Sequence, residues 1–331
     1  MEGRQGNAPE VLYEREDLHV VLGALGGTGG AIVRELIGQG RRVRAVTRRG
    51  DAGICETPLP PASYEDCAAD LTDADQVRRA VSGASVVYHC ARPAYSHWWQ
   101  EFPPLNRGII DAVAEAGAKL VYADSLAMYE PGADPLTEQT PATSDTKKGS
   151  LRARLANELL EEHESGRVRV VIGRSSDYFG PRGLNCAVGT RFFETLLAGK
   201  KTQWYGSLDQ PHTLSYLPDL ARAYVILGTR PEAEGGVWHT PAAGPVTGRE
   251  FIEAAAEAAG VAPRPAVLSE RSVTFFGLFV PTLREYPELL YQWNRPFVSD
   301  ASRFEEAFGP FAVTPFDEAI PETIAWFRTH V

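Results

Sequence analysis

The chain has 331 residues, 44% of them hydrophobic, which suffices for one large or two moderate globular domains with a substantial core. Its formal net charge of −10 excludes a general nucleic-acid surface, and no segment reaches the roughly 18 consecutive apolar residues that a membrane span requires. The polar stretch 1–17 reads as a flexible leader without a signal core. The four cysteines (Cys55, Cys67, Cys90, Cys186) show neither CxxC pairing nor metal spacing, so a cytoplasmic protein with reduced thiols and no metal centre is expected.

From Leu18 to Arg49 the pattern predicts a strand (Leu18 to Leu22), a glycine turn (Gly23 to Gly30), a helix (Ala31 to Gln39) and a second strand (Arg42 to Thr47). Gly23, Gly26 and Gly29 let the backbone turn sharply and remove the Cβ atoms that would block a pyrophosphate. The helix start beyond them offers unpaired N–H groups to phosphate oxygens. The spacing is GxxGxxG, not GxGxxG. The second strand runs into Arg48 and Arg49, whose guanidinium groups suit a 2′-phosphate, so NADP(H) is expected; Asp51 keeps NAD(H) as the alternative.

A Pro-rich connection (52–63) leads to a strand at Asp66 to Asp70, a helix at Asp75 to Ser82, and a buried strand at Ser85 to Ala91. Arg92 to Pro104 reads as an aromatic loop. Then follow a helix (Leu105 to Ala116), a strand (Lys119 to Ala123), a helix (Lys148 to Glu164) and a strand (Val168 to Ile172). Six strands separated by helices predict a doubly wound parallel α/β sheet over 18–174. Residues 175–331 are loop-rich, with helices at Thr190 to Leu197, Leu220 to Leu227 and Arg249 to Ala259. They predict a smaller substrate domain, with 236–240 returning to the first sheet.

The order of motifs resembles the extended short-chain dehydrogenase/reductase superfamily of NAD(P)-dependent epimerases, dehydratases and reductases. The matching segments are Gly23 to Gly29, Asp70-Leu71, His89-Cys90-Ala91, Ser125 with Met128-Tyr129, Pro135 to Glu138, Arg174 with Phe179-Gly180-Pro181, and Leu217 to Ala221. The resemblance implies that Gly23, Gly26, Gly27, Thr28, Gly29 and Arg48 contact the cofactor, beside Arg49. It places Asp70 and Leu71 at the adenine edge and Ala91 beside the nicotinamide ribose. It also implies a small-molecule substrate and a homodimer paired through the flanking helices, although the helix from Lys148 presents Arg152, Arg154, Glu158, Glu161 and Glu162 as a charged face.

In that family a Ser or Thr works with a Tyr and a Lys four residues apart on the helix after the fifth strand, the Lys lowering the Tyr pKa. Ser125 matches the first. Aligning Asn157 to Leu160 with the end of that helix puts Gly149 and Ala153 at the Tyr and Lys positions, and neither Lys147 nor Lys148 restores a phenol. The replacement acid is sought among several groups. Tyr129 faces the nicotinamide or packs in the core. Tyr178 and Asp177 follow the sixth strand, Asp177 as a base or as a turn residue. Lys148 holds the ribose hydroxyls or faces solvent, and His97 with Trp98 donates a proton or walls the substrate.

Sugar-nucleotide members carry an Arg between the positions matching Gly206 and Asp219; here His212 stands there, a poor pyrophosphate clamp. The resulting expectation is an NADP(H)-dependent oxidoreductase acting on a small, non-nucleotide carbonyl or alcohol. A redox-neutral isomerase or cyclase, or a non-enzymatic NADP(H) sensor, would use the same scaffold.

Overall fold

The computed structural model describes residues 17–51, 53, 63–130, 132, 134–278 and 284–330. Most of the leader, Cys55 and most of the Pro-rich connection lie outside them. The first half alternates strand and helix in this order: β1 (Leu18–Leu22), α1 (Gly27–Gly38), β2 (Arg42–Thr47), β3 (Tyr64–Ala68), α2 (Ala74–Val81), β4 (Val86–His89), α3 (Trp98–Ala116), β5 (Lys119–Ser125), α4 (Lys147–Glu164), β6 (Arg169–Ser175). Then come β7 (Asp177–Phe179), α5 (Thr190–Leu197), β8 (Thr202–Tyr205), β9 (Pro211–His212), β10 (Leu214–Tyr216), α6 (Leu217–Thr229), β11 (Val237–His239), β12 (Val246–Thr247), α7 (Gly248–Ala259), β13 (Pro265–Leu268), α8 (Glu270–Gly277), α9 (Tyr291–Asn294), α10 (Ser302–Phe308) and α11 (Phe316–His330).

Seven strands form one sheet in the order β11-β6-β5-β4-β1-β2-β3, every neighbouring pair parallel. Apolar side chains on both faces make such a sheet stable only between two helical layers. One layer, with α2, α3 and α4, packs Val77, Ile109, Val113 and Leu155 on Val20, Leu22, Leu120 and Ile172. The other buries Ile32, Leu36, Leu220, Tyr224 and Phe304 of α1, α6 and α10 on Val21, Val121 and Val171. Beyond residue 175 the chain therefore divides its work: α6, β11 and α10 complete the sheet layers. A separate aromatic core (Phe179, Phe193, Trp204, Phe251, Trp293, Phe327) forms the smaller unit.

Two helix starts and one side chain's burial differ from expectation. Helix α1 starts at Gly27, four residues early, because the glycine turn flows directly into its first turn. Helix α3 starts at Trp98 and includes Pro103 and Pro104, so the stretch read as a loop to 104 is helical from 98. The two prolines forfeit backbone hydrogen bonds, but Trp98, Phe102 and Leu105 bury their side chains on that stripe, which outweighs the loss. Arg152 does not belong to an exposed charged face of α4; it is 4% exposed.

Sheet order reverses at β1, whose neighbours are β2 on one side and β4 on the other. Crevices open at such reversals, beyond the carboxyl ends of the strands.

Candidate active site

A single cleft of about 810 Å³ occupies that crevice. At one end, Gly23 and the first turn of α1 (Gly27, Thr28, Gly29) line it together with Gly26. Gly23 adopts φ +83°, and a Cβ there would lie 2.8 Å from the Ala91 nitrogen; a Cβ on Gly29 would collide with the Gly23 carbonyl oxygen. The N-cap of α1 is Gly26, which supplies no side-chain cap, so the first-turn N–H groups remain available to an anion. These features fit a dinucleotide pyrophosphate. Arg48, Arg49 and Asp51 line the same end, as do Asp70 and Leu71, with Ala91 beside the turn. Hydrogen bonds from the Thr72 amide and hydroxyl hold the Asp70 carboxyl below its ordinary range. Asp51 accepts from the Gly53 amide. Arg182, which sequence reasoning missed, reaches this end from the second unit and donates to the Gly53 carbonyl.

At the other end, Ser125 closes β5, and α4 presents Lys148 and Arg152 to the cleft. A Cβ on Gly149 would run into Ser144 Oγ and the Ala127 carbonyl oxygen, so position 149 points away from the cleft, at the loop after β5. Ala153 packs with Met128 and Tyr129. The cleft-facing pair, four residues apart, is thus Lys148 and Arg152, one residue before the expected pair. No tyrosine occurs on α4.

Lys148 is 5% exposed, which corrects its reading as a solvent-facing residue. Its Nζ lies 2.6 Å from Glu285 and 2.5 Å from Glu288, carboxylates more than 130 residues downstream that no local signal in the sequence could pair with it. Arg152 donates to Asp124 and to the Tyr122 hydroxyl, and its guanidinium lies over Trp98 at 4.7 Å from the ring centre. Asp124 is fully buried between Arg152 and Arg174. Trp98 donates its indole N–H to the Pro93 carbonyl and lines the cleft, as do Asp177 and Tyr178. Burial pushes the Tyr178 phenol pKa up.

Three expected site residues lie elsewhere. Tyr129 is 1% exposed and outside the cleft. His239 Nδ1 faces the Asp300 carbonyl, which only accepts, so its Nε2 accepts from the Tyr129 hydroxyl at 2.7 Å, while Arg174 donates to that hydroxyl at 2.8 Å. Burial above all, with Arg174 nearby, lowers the His239 pKa to about 4, which keeps its ring neutral. Tyr129 is therefore a core group: the chain after Ser125 is not helical, so a four-residue spacing does not put both side chains on one face. His97 is exposed, does not line the cleft, and faces Glu101 at 3.2 Å. His212 is 2% exposed, stacked on Trp293 with ring centres 4.1 Å apart; it bridges the Gln292 carbonyl and Asp177 and does not enter the cleft itself.

Residues 19–239 match the NAD dependent epimerase/dehydratase family, two thirds of the chain. The chain belongs to that family. Among its relatives, dTDP-glucose 4,6-dehydratase of Streptomyces griseus is 24% identical over 94% of this chain and 94% of its own length. The 3beta-hydroxysteroid-dehydrogenase/decarboxylase isoform 2 of Arabidopsis thaliana is 25% identical over 83% of this chain, which spans only 54% of that relative. The UDP-glucuronic acid 4-epimerase of Bacillus cereus, solved with NAD, superposes with a TM-score of 0.78 at 14% identity, over 94% of this chain and 99% of its own. The enzyme WbmH of Bordetella bronchiseptica, in complex with NAD+, superposes at 0.75 with 18% identity, over 95% and 99%. Both likenesses confirm the doubly wound α/β fold expected from the sequence. Among the described residues no helix is long and apolar enough to cross a membrane, and no three or more His, Cys, Asp or Glu side chains gather as a metal site.

Proposed function

We propose that this member of the epimerase/dehydratase family is an NADP(H)-dependent oxidoreductase acting on a small, non-nucleotide carbonyl or alcohol. The observation that carries the reading is the joining of two ends in one cleft: a phosphate-ready glycine turn flanked by Arg48 and Arg49, and Ser125 facing Lys148 and Arg152.

Bound at the glycine turn, the cofactor supplies the two-electron exchange. The protein's part is positioning and proton movement. Ser125 Oγ donates to the substrate oxygen and fixes its place at the end of β5. The Tyr178 phenol, which lines the cleft with its ring against Gly27, holds the proton that the new hydroxyl requires, and solvent returns it. Arg152, which shares the single carboxylate of Asp124 with Arg174, supplies positive potential beside the developing oxyanion, and Lys148, matched by two carboxylates, orders that wall of the cleft. Their carboxylate partners hold them in place.

Two features favour a substrate without a nucleotide. His212, at the position where sugar-nucleotide members carry an Arg, is enclosed by Trp293 and Phe297 and engaged by Asp177 and Gln292. The walls of the cleft are aromatic: Trp98, Tyr286, Trp293 and Phe297. One relative of this chain is named a 3beta-hydroxysteroid-dehydrogenase/decarboxylase, a name without a nucleotide in it.

Titrating the protein with NADPH and NADH tests the cofactor. A hydrogen bond to a charged group is worth about 1.5–3 kcal/mol, trimmed here because both arginines are exposed. The expected preference for NADPH is therefore about tenfold, since 1.4 kcal/mol is a factor of ten, and Arg48→Ala with Arg49→Ala abolishes it. Tighter binding of NADH would refute it. A carbonyl panel followed by nicotinamide absorbance tests the reaction. The lack of a tyrosine on α4 favours a second reading, a redox-neutral isomerase, and turnover without nicotinamide would establish it.

A further inference from the structure

We propose that Arg92 forms an anion-binding subsite at the substrate end of the cleft and that the substrate carries a carboxylate. The proposal rests on the reading of that end as a substrate site and adds the chemical class of ligand.

Arg92 follows Ala91 out of β4, lines the cleft and keeps its surface open to it. Three cations face this end. Lys148 is neutralised by Glu285 and Glu288, and Arg152 is paired with Asp124, which it shares with Arg174. Arg92 has no carboxylate within ion-pair distance among the described residues. Its hydrogen bond goes to the Tyr95 hydroxyl at 3.2 Å, and its guanidinium lies 5.2 Å from the centre of that ring. The acids of this end are engaged elsewhere: Asp177 with His212 at 3.1 Å, Glu101 with His97 at 3.2 Å.

The surroundings are phenols and indoles. Tyr95 packs on Trp98 at 4.7 Å and on Tyr286 at 5.9 Å, and Tyr286 stacks on Tyr205 at 5.3 Å with the rings 7° from parallel. The Arg92 side chain is exposed to the open cleft, and phenols do not neutralise it, so its charge is available to an arriving anion. The planar fork matches the two oxygens of a carboxylate, and the aromatic walls suit an apolar or flat body attached to it. A phosphate would call for a second free cation, and none faces this end among the described residues. Tyr95 also lies 5.7 Å from Lys148 Nζ, which places the Arg92–Tyr95 pair on the α4 side of the cleft, away from Arg48 and Arg49.

The test uses the full chain loaded with NADPH and follows Trp fluorescence, since Trp98 and Trp293 line the cleft. The probes are benzoate, its neutral counterpart benzamide, and inorganic phosphate. Expected are at least tenfold tighter binding of benzoate than of benzamide, loss of that ratio in Arg92→Gln, partial retention in Arg92→Lys, and an unchanged NADPH affinity in both variants. The benzoate-to-benzamide ratio on the unaltered protein stands even if a variant folds poorly. Equal binding of the two probes, no binding of benzoate, or an undiminished ratio in a folded Arg92→Gln would overturn the proposal. So would phosphate displacing benzoate at lower concentration, which would assign a phosphoryl ligand, or loss of NADPH binding in the variants, which would assign Arg92 to the cofactor. Failure of every carbonyl to react would sink the oxidoreductase reading and leave these ratios intact; equal ratios would sink the anion subsite alone.

Discussion

Replacing Tyr129 by Phe separates a structural from a catalytic role at the residue that sequence reasoning placed beside the nicotinamide. The substitution removes one oxygen, which donates to His239 Nε2 and accepts from Arg174. Both partners lie in a site where Tyr129 is 1% exposed, so water does not replace the hydroxyl. An orphaned buried polar group costs about 1–3 kcal/mol. Arg174 keeps Asp124 and falls at the lower end of that range, while His239, neutral with its Nδ1 at the Asp300 carbonyl, has no second partner for Nε2 among the described residues. The summed cost is about 2–4 kcal/mol of unfolding free energy. Urea unfolding followed by circular dichroism reads it, with an unchanged denaturant slope. NADPH affinity and the catalytic rate stay within about threefold, because no transition-state contact is removed. Tyr178→Phe should do the reverse, leaving stability nearly unchanged and slowing turnover. The reasoning fails if Tyr129→Phe slows turnover by more than about a hundredfold while unfolding shifts by less than about 0.5 kcal/mol.

Other outcomes follow from the same geometry. Gly29→Ala forces a Cβ against the Gly23 carbonyl oxygen, so the turn must open; NADPH binding should be lost in a calorimetric titration, whereas Gly38→Ala, which meets nothing within 4 Å, should leave it intact. Lys148→Met leaves Glu285 and Glu288 facing each other without a cation. Breaking a buried pair costs about 3–5 kcal/mol, and because both carboxylates are about a quarter exposed the expected loss is about 1–3 kcal/mol. Faster hydrogen exchange confined to 284–294 would accompany it. His19, His89 and His239 have pKa values lowered to about 4, 3 and 4, chiefly by burial, with Arg41, Arg152 and Arg174 nearby. Their folded values lie below the unfolded 6.5, so the stability they contribute is present above pH 6.5 and falls as the pH drops toward 4. The loss approaches about 1.4 kcal/mol per pH unit for each ring. An unfolding free energy that is flat between pH 6.5 and 4.5 would contradict it.

The βαβ unit at the start was legible because buried parallel strands, the glycine turn and the stripe of Ile32, Val33 and Leu36 are local patterns that tertiary context reinforces. The start of α3 was not, since Pro103 and Pro104 signal a break and only the packing of Trp98 and Phe102 shows why the helix tolerates them. On α4 the cleft face was misjudged by one residue. Lys148 and Arg152 at four-residue spacing, in line with Leu155 and Leu159, marked a buried face, but charged residues there read as solvent-facing. What holds them, Glu285, Glu288 and Asp124, comes from distant or hidden positions.

The two ends of the cleft have different pedigrees in the chain. Most of the glycine-turn end comes from 23–91, within the first βαβ unit and the two strands that follow, whereas Tyr286, Leu289, Gln292, Trp293 and Phe297 at the far end are supplied by one short stretch near the C-terminus. The part of ligand choice that lies outside Arg92 and Trp98 can therefore drift by rewriting some dozen residues while the nucleotide cradle is inherited unchanged. A chimera that grafts 284–298 from another family member tests this directly: it should exchange substrate preference and keep cofactor affinity.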